Sequence, residues 1–254
     1  MDFSGFDLSA LLPFIAVGFA AQMVDGAVGM AFGVISNTLL VGVLGVPPAL
    51  ASQRVHVVEC FTTGISGISH LLHRNIDGRL FLRLLIPGIV GGVIGAYLLT
   101  SLDATTVRPF VLAYLSAVGV HLLWRGLRYP PEARRPKFVA GLGLVGGFLD
   151  AAGGGGWGAV VSSNLLIQGG DPRKVVGTVN AVEFFLTITI SAAFIAKLGF
   201  ADLAGPILGF LIGGVAAAPL GAWAARHLPA KVMLIMVGVV LTLTSIYGLW
   251  HFWH

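Results

Sequence analysis

Between Ala49 and Leu72, in an otherwise apolar run, Gln53, His56, Glu59, Thr63, Ser66 and His70 follow one another at spacings of three or four. On a helix that spacing stacks them on one face. A second run repeats the pattern with Asn180, Glu183, Thr187 and Ser191, starting after Gly177 and Thr178. Ionisable side chains inside a bilayer are costly unless paired or wet, and they mark ion and substrate pathways. Glu59 and Glu183 are therefore candidate proton carriers, a role that requires a carboxyl able to exchange protons near neutral pH. The structural alternative is that Glu59 pairs with His56 and Glu183 bonds Asn180, gluing helices together.

Two glycine-rich breaks add a complementary element: Asp25-Gly26-Ala27-Val28-Gly29, and Asp150 followed by Gly153, Gly154, Gly155 and Gly156. Short helices starting at these breaks would aim backbone N–H groups and a positive dipole end at the membrane midplane, an anion site in outline. Gly154 and Gly155 would let a ligand approach the backbone closely. Asp25 and Asp150 either cap the helices that follow or hold protons themselves. Arg54, one position from the first stripe, either snorkels to the interface or offers its charge to an oxyanion. HExxH, CxxC and Gly-x-Ser-x-Gly are all absent from the sequence, and Gly153 to Gly156 lacks the Gly-Lys-Ser/Thr ending of a P-loop. No metal and no cofactor is expected.

The elements that must position these residues are membrane spans. Only 10% of the 254 residues are charged, against roughly 25% in soluble domains, and mean hydropathy is +0.92. Apolar runs cover approximately 10–24, 28–44, 49–72, 81–100 and 107–124, then 138–149, 156–168, 175–196, 204–224 and 232–250. Five precede and five follow a polar stretch, Arg125 to Lys137, that contains Pro130, Pro131 and Pro136. The expected class is all-α and polytopic, with a first repeat at 1–124, a cytoplasmic linker at 125–137 and a second repeat at 138–254. The first two runs of each half are short, which predicts hairpins of short helices meeting at the glycine breaks. The start of the chain lacks a basic n-region, so the first apolar run is expected to remain in the mature protein. A lone cysteine, Cys60, allows no internal disulfide. The pI near 9.6 reflects basic residues at the ends of apolar runs, so nucleic acid is not an expected partner.

Self-similarity at an offset near 125 residues supports the two halves. Asp25, Gly29 and Gly33 fall on Asp150, Gly154 and Gly158; Pro47 on Pro172; His56 and Glu59 on Asn180 and Glu183; Gly95-Ala-Tyr97 on Gly221-Ala-Trp223. With the linker placed in the cytoplasm, alternating the side along the chain puts twelve of the fifteen Lys and Arg inside. Five crossings per half then make the repeats inverted, with both termini outside.

The run Ala51 to His70, followed by Asn75-Ile-Asp77, resembles the first-half signature of the TauE/SafE family of sulfite and organosulfur-anion exporters. Gly177-Thr178-Val-Asn180-Ala-Val-Glu183-Phe184-Phe185 is similar to its counterpart in the second half. The resemblance covers nearly the whole chain and implies a bacterial inner-membrane carrier for sulfite, thiosulfate, sulfonates or related anions. The expectation is a secondary transporter working by alternating access. Its anion would be held by break-region N–H groups with Gln53, His56, Thr178 and Asn180, and Glu59 and Glu183 would carry or relay protons. Its partners would be the anion, protons and the lipid bilayer, with a homo-oligomer as an option. Two alternatives stand beside it: an intramembrane enzyme with His56 and Glu59 as acid and base, and an anion channel.

Overall fold

The computed structural model describes residues 8–28, 31–128, 136–162, 164–165, 168, 170–200, 203–227 and 230–253. Gly29, most of the linker and His254 lie outside them, as do the side chains of Arg173, Trp223 and Arg226. All regular structure among the described residues is helical. In chain order the elements are α1 (Leu8–Val28), α2 (Phe32–Thr38, running on π-helically through Leu39–Val43), α3 (Pro48–Leu72), α4 (Gly78–Ser101) and α5 (Ala104–Leu127). They continue with α6 (Val139–Gly153), the π-helical α7 (Trp157–Ser162), α8 (Pro172–Leu198), α9 (Ala204–His227) and α10 (Ala230–Trp253). The chain is an all-helical membrane protein. Helices α4, α5 and residues Lys174–Leu198 of α8 are each long and apolar enough to cross a bilayer.

Local chemistry sets the helix ends. Proline opens α3 (Pro48) and α8 (Pro172), where its missing N–H would have had no partner. Asp77 caps α4 by accepting from the N–H groups of Arg79 and Leu80, and Asp103 caps α5 by accepting from those of Thr105 and Thr106. A bond from the Thr105 hydroxyl, followed by those from the Thr106 and Thr105 N–H groups, holds the exposed Asp103 carboxyl below the usual carboxylate range. Arg74 and Gly199 take the left-handed conformation just past α3 and α8.

One expectation needs correction. The first helix is not a short arm ending at Asp25; it runs 21 residues and continues through Gly26 to Val28. A single glycine inside a helix costs only about 1 kcal/mol, too little to end one that is held by packing. In the second half the interruption lies where the glycines are: α6 ends at Gly153, and Gly154, Gly155 and Gly156 all have positive φ (74°, 124° and 142°).

Small residues set how the helices meet. Gly209 lies against Leu11 and Phe14, and Gly213 against Ile15 and Phe19, so α1 and α9 run parallel. Gly91 lies against Leu144, and Gly95 against Phe148 and Ala151, so α4 and α6 also run parallel. The pair α5 and α10 is antiparallel, with Gly248 on Leu112, Gly119 on Thr242 and Gly126 on Ile235. So is the pair α3 and α8, where Cys60 meets Ser191 and Gly67 meets Ala181. The buried residues Val55, Val58, Val179, Val182, Leu186 and Ile190 place α3 and α8 at the centre. Outer helices show the reverse of soluble amphipathicity. Leu82, Ile86, Val90 and Ile94 form an exposed apolar stripe on α4, while its Gly88, Gly91, Gly92 and Gly95 face inward.

An added methyl at Gly91 would run into the Leu144 carbonyl, whereas one at Gly141 would meet nothing within 4 Å. Gly91→Ala is expected to destabilise the fold by about 1–3 kcal/mol or more, and Gly141→Ala to be neutral or better. Thermal unfolding of the detergent-purified variants checks this; equal midpoints would contradict it.

Candidate functional site

The site begins with the two interruptions. After α1, the Asp25 Oδ1 accepts hydrogen bonds from the N–H groups of Ala31 (2.8 Å) and Phe32 (3.2 Å), the latter opening α2. After α6, the Asp150 Oδ1 accepts from the N–H of Trp157 (2.8 Å), the first residue of α7. Both carboxylates thus reach seven residues ahead to the start of the next element. The N–H groups of Ala31, Phe32 and Trp157 are thus held by the protein's own aspartates, while Gly33, Val34 and Gly158, just beyond them, line the cavity described next. The second interruption packs on the first short helix: Asn37 Nδ2 donates to the Gly153 carbonyl (2.9 Å), and Gly155 abuts the backbone of Gly33 and Val34. A side chain at Gly155 would strike that backbone, and its φ of 124° is one that favours glycine.

Between these interruptions and the α3–α8 pair lies a cavity of about 260 Å³. Its acids are Asp25, Glu59 and Glu183; its neutral polar groups include Gln22, Thr62, Thr63, Ser66 and Asn180; and Gly33, Gly156 and Gly158 contribute backbone. No Lys or Arg lines it among the described residues. Glu59 is almost wholly buried, and its Oε2 has no hydrogen-bond partner. Gly33 lies beside it: a Cβ there would come within 2.8 Å of Glu59 Oε1, which would have to shift, and within 3.1 Å of the Gly155 backbone. Thr63 donates to the Glu59 carbonyl (2.5 Å), and Ser66 donates to Asn180 Oδ1 (3.0 Å), tying the two helices at the wall. The lining runs along α3 from Glu59 to His70, about 16 Å at the helical rise. It therefore extends toward the α3–α4 turn.

In the other direction α3 is closed off. His56 Nδ1 lies 2.7 Å from the Ser52 carbonyl, which can only accept, so Nδ1 carries a proton. His56 Nε2 lies 3.2 Å from Asp150 Oδ2, a contact that needs one further proton on either atom, and both residues are buried. Ser52 Oγ donates to the Ala151 carbonyl (2.9 Å), and Gln53 Nε2 to the Gly199 carbonyl (2.8 Å). Arg54 stacks on Phe14, 5.5 Å from its ring centroid.

The structure therefore divides the residues singled out in sequence. It brings Asp25, Glu59, Glu183 and Asn180 to one cavity. It places Gln53, Arg54, His56 and Asp150 on the sealed side. Thr178 accepts from the N–H of Asp77 (2.8 Å), fixing the α3–α4 turn, and Gly154 and Gly155 build the interruption against α2. Gln22 and Thr62 escaped the sequence reading. The available signal for Gln22 was its position three residues before Asp25, on the same helical face.

The chain matches the family model described as sulfite exporter TauE/SafE over residues 14–248. It belongs to that family. Relatives within reach include a probable membrane transporter protein, YtnM, of Bacillus subtilis (strain 168). That protein is 36% identical over 255 residues, covering 97% of this chain and 85% of the relative. A probable membrane transporter protein of Haemophilus influenzae (strain ATCC 51907 / DSM 11121 / KW20 / Rd) is 24% identical over 262 residues, covering 98% and 99%. No solved structure gives a significant match.

Among the described residues, Asp150 bonds both a helix start and His56, whereas the side-chain bonds of Asp25 go to a helix start. Loss of such a cap costs about 1 kcal/mol, and an orphaned buried partner adds about 1–3 kcal/mol. Asp150→Ala is therefore expected to lower the thermal midpoint more than Asp25→Ala, read by unfolding in detergent. Equal losses would contradict the double role.

Proposed function

We propose that this protein is a secondary transporter of small sulfur-containing anions, proton-coupled and working by alternating access in a bacterial inner membrane. The observation that carries the reading is the cavity shared by Glu59 and Glu183, which come from matching positions of two antiparallel central helices. An anion cannot settle there beside ionised carboxylates. At 4 Å and an effective dielectric near 20, one such repulsion is about 4 kcal/mol, roughly a thousandfold in affinity. Binding is therefore tied to protonation of Glu59 and Glu183, and protons travel with the anion. Gln22, Thr62, Thr63, Ser66 and Asn180 are the neutral groups that would hold its oxygens, with the backbone at Gly156 and Gly158 close enough to touch it.

Inverted repeats at 1–124 and 138–254 supply the alternation. What supports them is the pairing of helices: corresponding helices α3 and α8 run antiparallel, as do α5 and α10, while α1 meets α9 as α6 meets α4. In this arrangement Asp25 corresponds to Asp150 and Asn180 to His56. The buried His56–Asp150 contact is the closed gate of the state described. In the opposite state Asp25 meets Asn180 and the His56–Asp150 contact parts. The linker faces the cytoplasm and both termini the periplasm, so the cavity described is reached from inside. The enzyme alternative gains nothing from the geometry, since His56 lies on the sealed side, away from the cavity that Glu59 lines.

Proteoliposomes preloaded with sulfite, thiosulfate or a sulfonate test the reading. Counterflow of labelled anion is expected, rising as pH falls on the loading side because more carboxyls are protonated. Glu59→Gln is expected to lower flux driven by a pH gradient by more than about tenfold while leaving anion exchange measurable. Undiminished proton-driven flux in that variant would overturn the role of Glu59; ungated leak would make the protein a channel.

A further inference from the structure

The α3–α8 pair has a second concavity, on a stripe of α3 next to the acidic one. A groove of about 360 Å³ runs between α3, α8 and the start of α4. Its lining is apolar throughout and includes Gly67, Ile68, Leu71, Phe81, Phe184 and Phe185. Ile68 and Leu71 are each 62% exposed and Phe185 is 45% exposed, so the groove faces the surrounding bilayer. Along α3 it extends from Gly64 to Leu71, about 10 Å at the helical rise, and Ile76 and Gly78 of the α3–α4 turn close its end.

That end is basic. Arg74, Arg79 and Lys174 are exposed around the same turn, and Arg83 follows one helical turn along α4. Lys174 Nζ fixes the turn itself by donating to the Arg74 carbonyl (2.7 Å) and, at 3.4 Å, to the Ile76 carbonyl. The adjacent acid, Asp77, is engaged in capping α4. An apolar slot between membrane helices, capped by arginines at the depth of lipid headgroups, is chemically matched to an anionic phospholipid. A second copy of this chain docking here about a two-fold axis would set the same cations against each other, which disfavours it.

We propose that this groove binds one acyl chain of an anionic phospholipid, with the phosphate held at Arg74 and Arg79. The inference rests on the membrane setting and the groove alone, not on the transport reading. It has a consequence for the central pair, because Gly67, in the groove lining, stands against the backbone of Ala181 and Asn180, and Asn180 lines the cavity. A seated chain would therefore bear on the spacing of α3 and α8.

The test uses the full-length chain purified in detergent and titrated with phosphatidylglycerol, with phosphatidylcholine of the same acyl chains, or with glycerol phosphate. Lipid retained is read by native mass spectrometry, and stability by thermal unfolding. Two variants separate the parts of the site. Gly78→Leu fills the end of the groove, where an added Cβ meets nothing within 4 Å. The pair Arg74→Asn and Arg79→Gln removes the charge while keeping a residue tolerant of the left-handed conformation at position 74. Phosphatidylglycerol is expected to be retained and to raise the midpoint by several degrees, with phosphatidylcholine and glycerol phosphate doing neither. Each variant should lose that retention while keeping its lipid-free midpoint. Equal retention of both lipids, retention unchanged in the arginine variants, or a dimer that Gly78→Leu converts to a monomer would overturn the proposal. Should Gly78→Leu fail to fold, the arginine variants decide alone.

Discussion

A helix interrupted inside a membrane leaves backbone N–H groups without intrahelical partners, and much at the centre of this protein follows from how they are satisfied. A buried donor without a partner costs about 1–3 kcal/mol. Asp25 and Asp150 meet that demand by reaching seven residues forward, each to the start of the next element. The same two carboxylates close the interruptions and bring acid to the bundle centre. The close approach of the two interruptions leaves no room for a side chain where Gly155 meets the backbone of Gly33 and Val34.

That solution separates two kinds of polar chemistry on one helix. From Glu59 to His70, α3 lines an acidic cavity with room for a small solute. From Ser52 to His56 it is tied to α6 and to the end of α8 by side-chain bonds. Because α8 runs antiparallel to α3, the open end of one helix lies beside the start of the other. A carboxyl-lined chamber with no Lys or Arg among its described lining residues, and one histidine, His70, is a poor resting place for an anion unless protons arrive too. The proposed coupling follows from that electrostatic conflict and needs no further element.

Much of this was legible in the sequence. The spacing of polar residues on α3 and α8 located Glu59, Glu183 and Asn180, because an ionisable group in an apolar run has few other reasons to be there. The four glycines after Asp150 marked the second interruption correctly. The first was misplaced because Gly26 sits in a helix held by its packing on α9, and propensity yields to packing at one residue. A helical wheel does not show which part of a polar stripe lines a cavity: of the residues expected to hold the anion, Asn180 lines it, while Gln53, His56 and Thr178 bond elsewhere. Their separation depends on the crossing of α3 with α6 and on the α3–α4 turn, contacts nearly a hundred residues or more apart in the chain. The apolar groove was invisible for the same reason: it exists only where three helices meet.

In the proposed cycle the sealed and open ends of α3 exchange roles. The direct measurement is the reactivity of single cysteines with a membrane-impermeant thiol reagent applied to either side, in a chain with Cys60 replaced by serine. One cysteine would stand at position 66 in the cavity and one at position 53 behind the seal. At rest, the account predicts labelling at 66 from one side only and none at 53; during turnover, labelling at 53 appears from the opposite side. Labelling of both positions from the same side, or of 66 from both sides at rest, would contradict it.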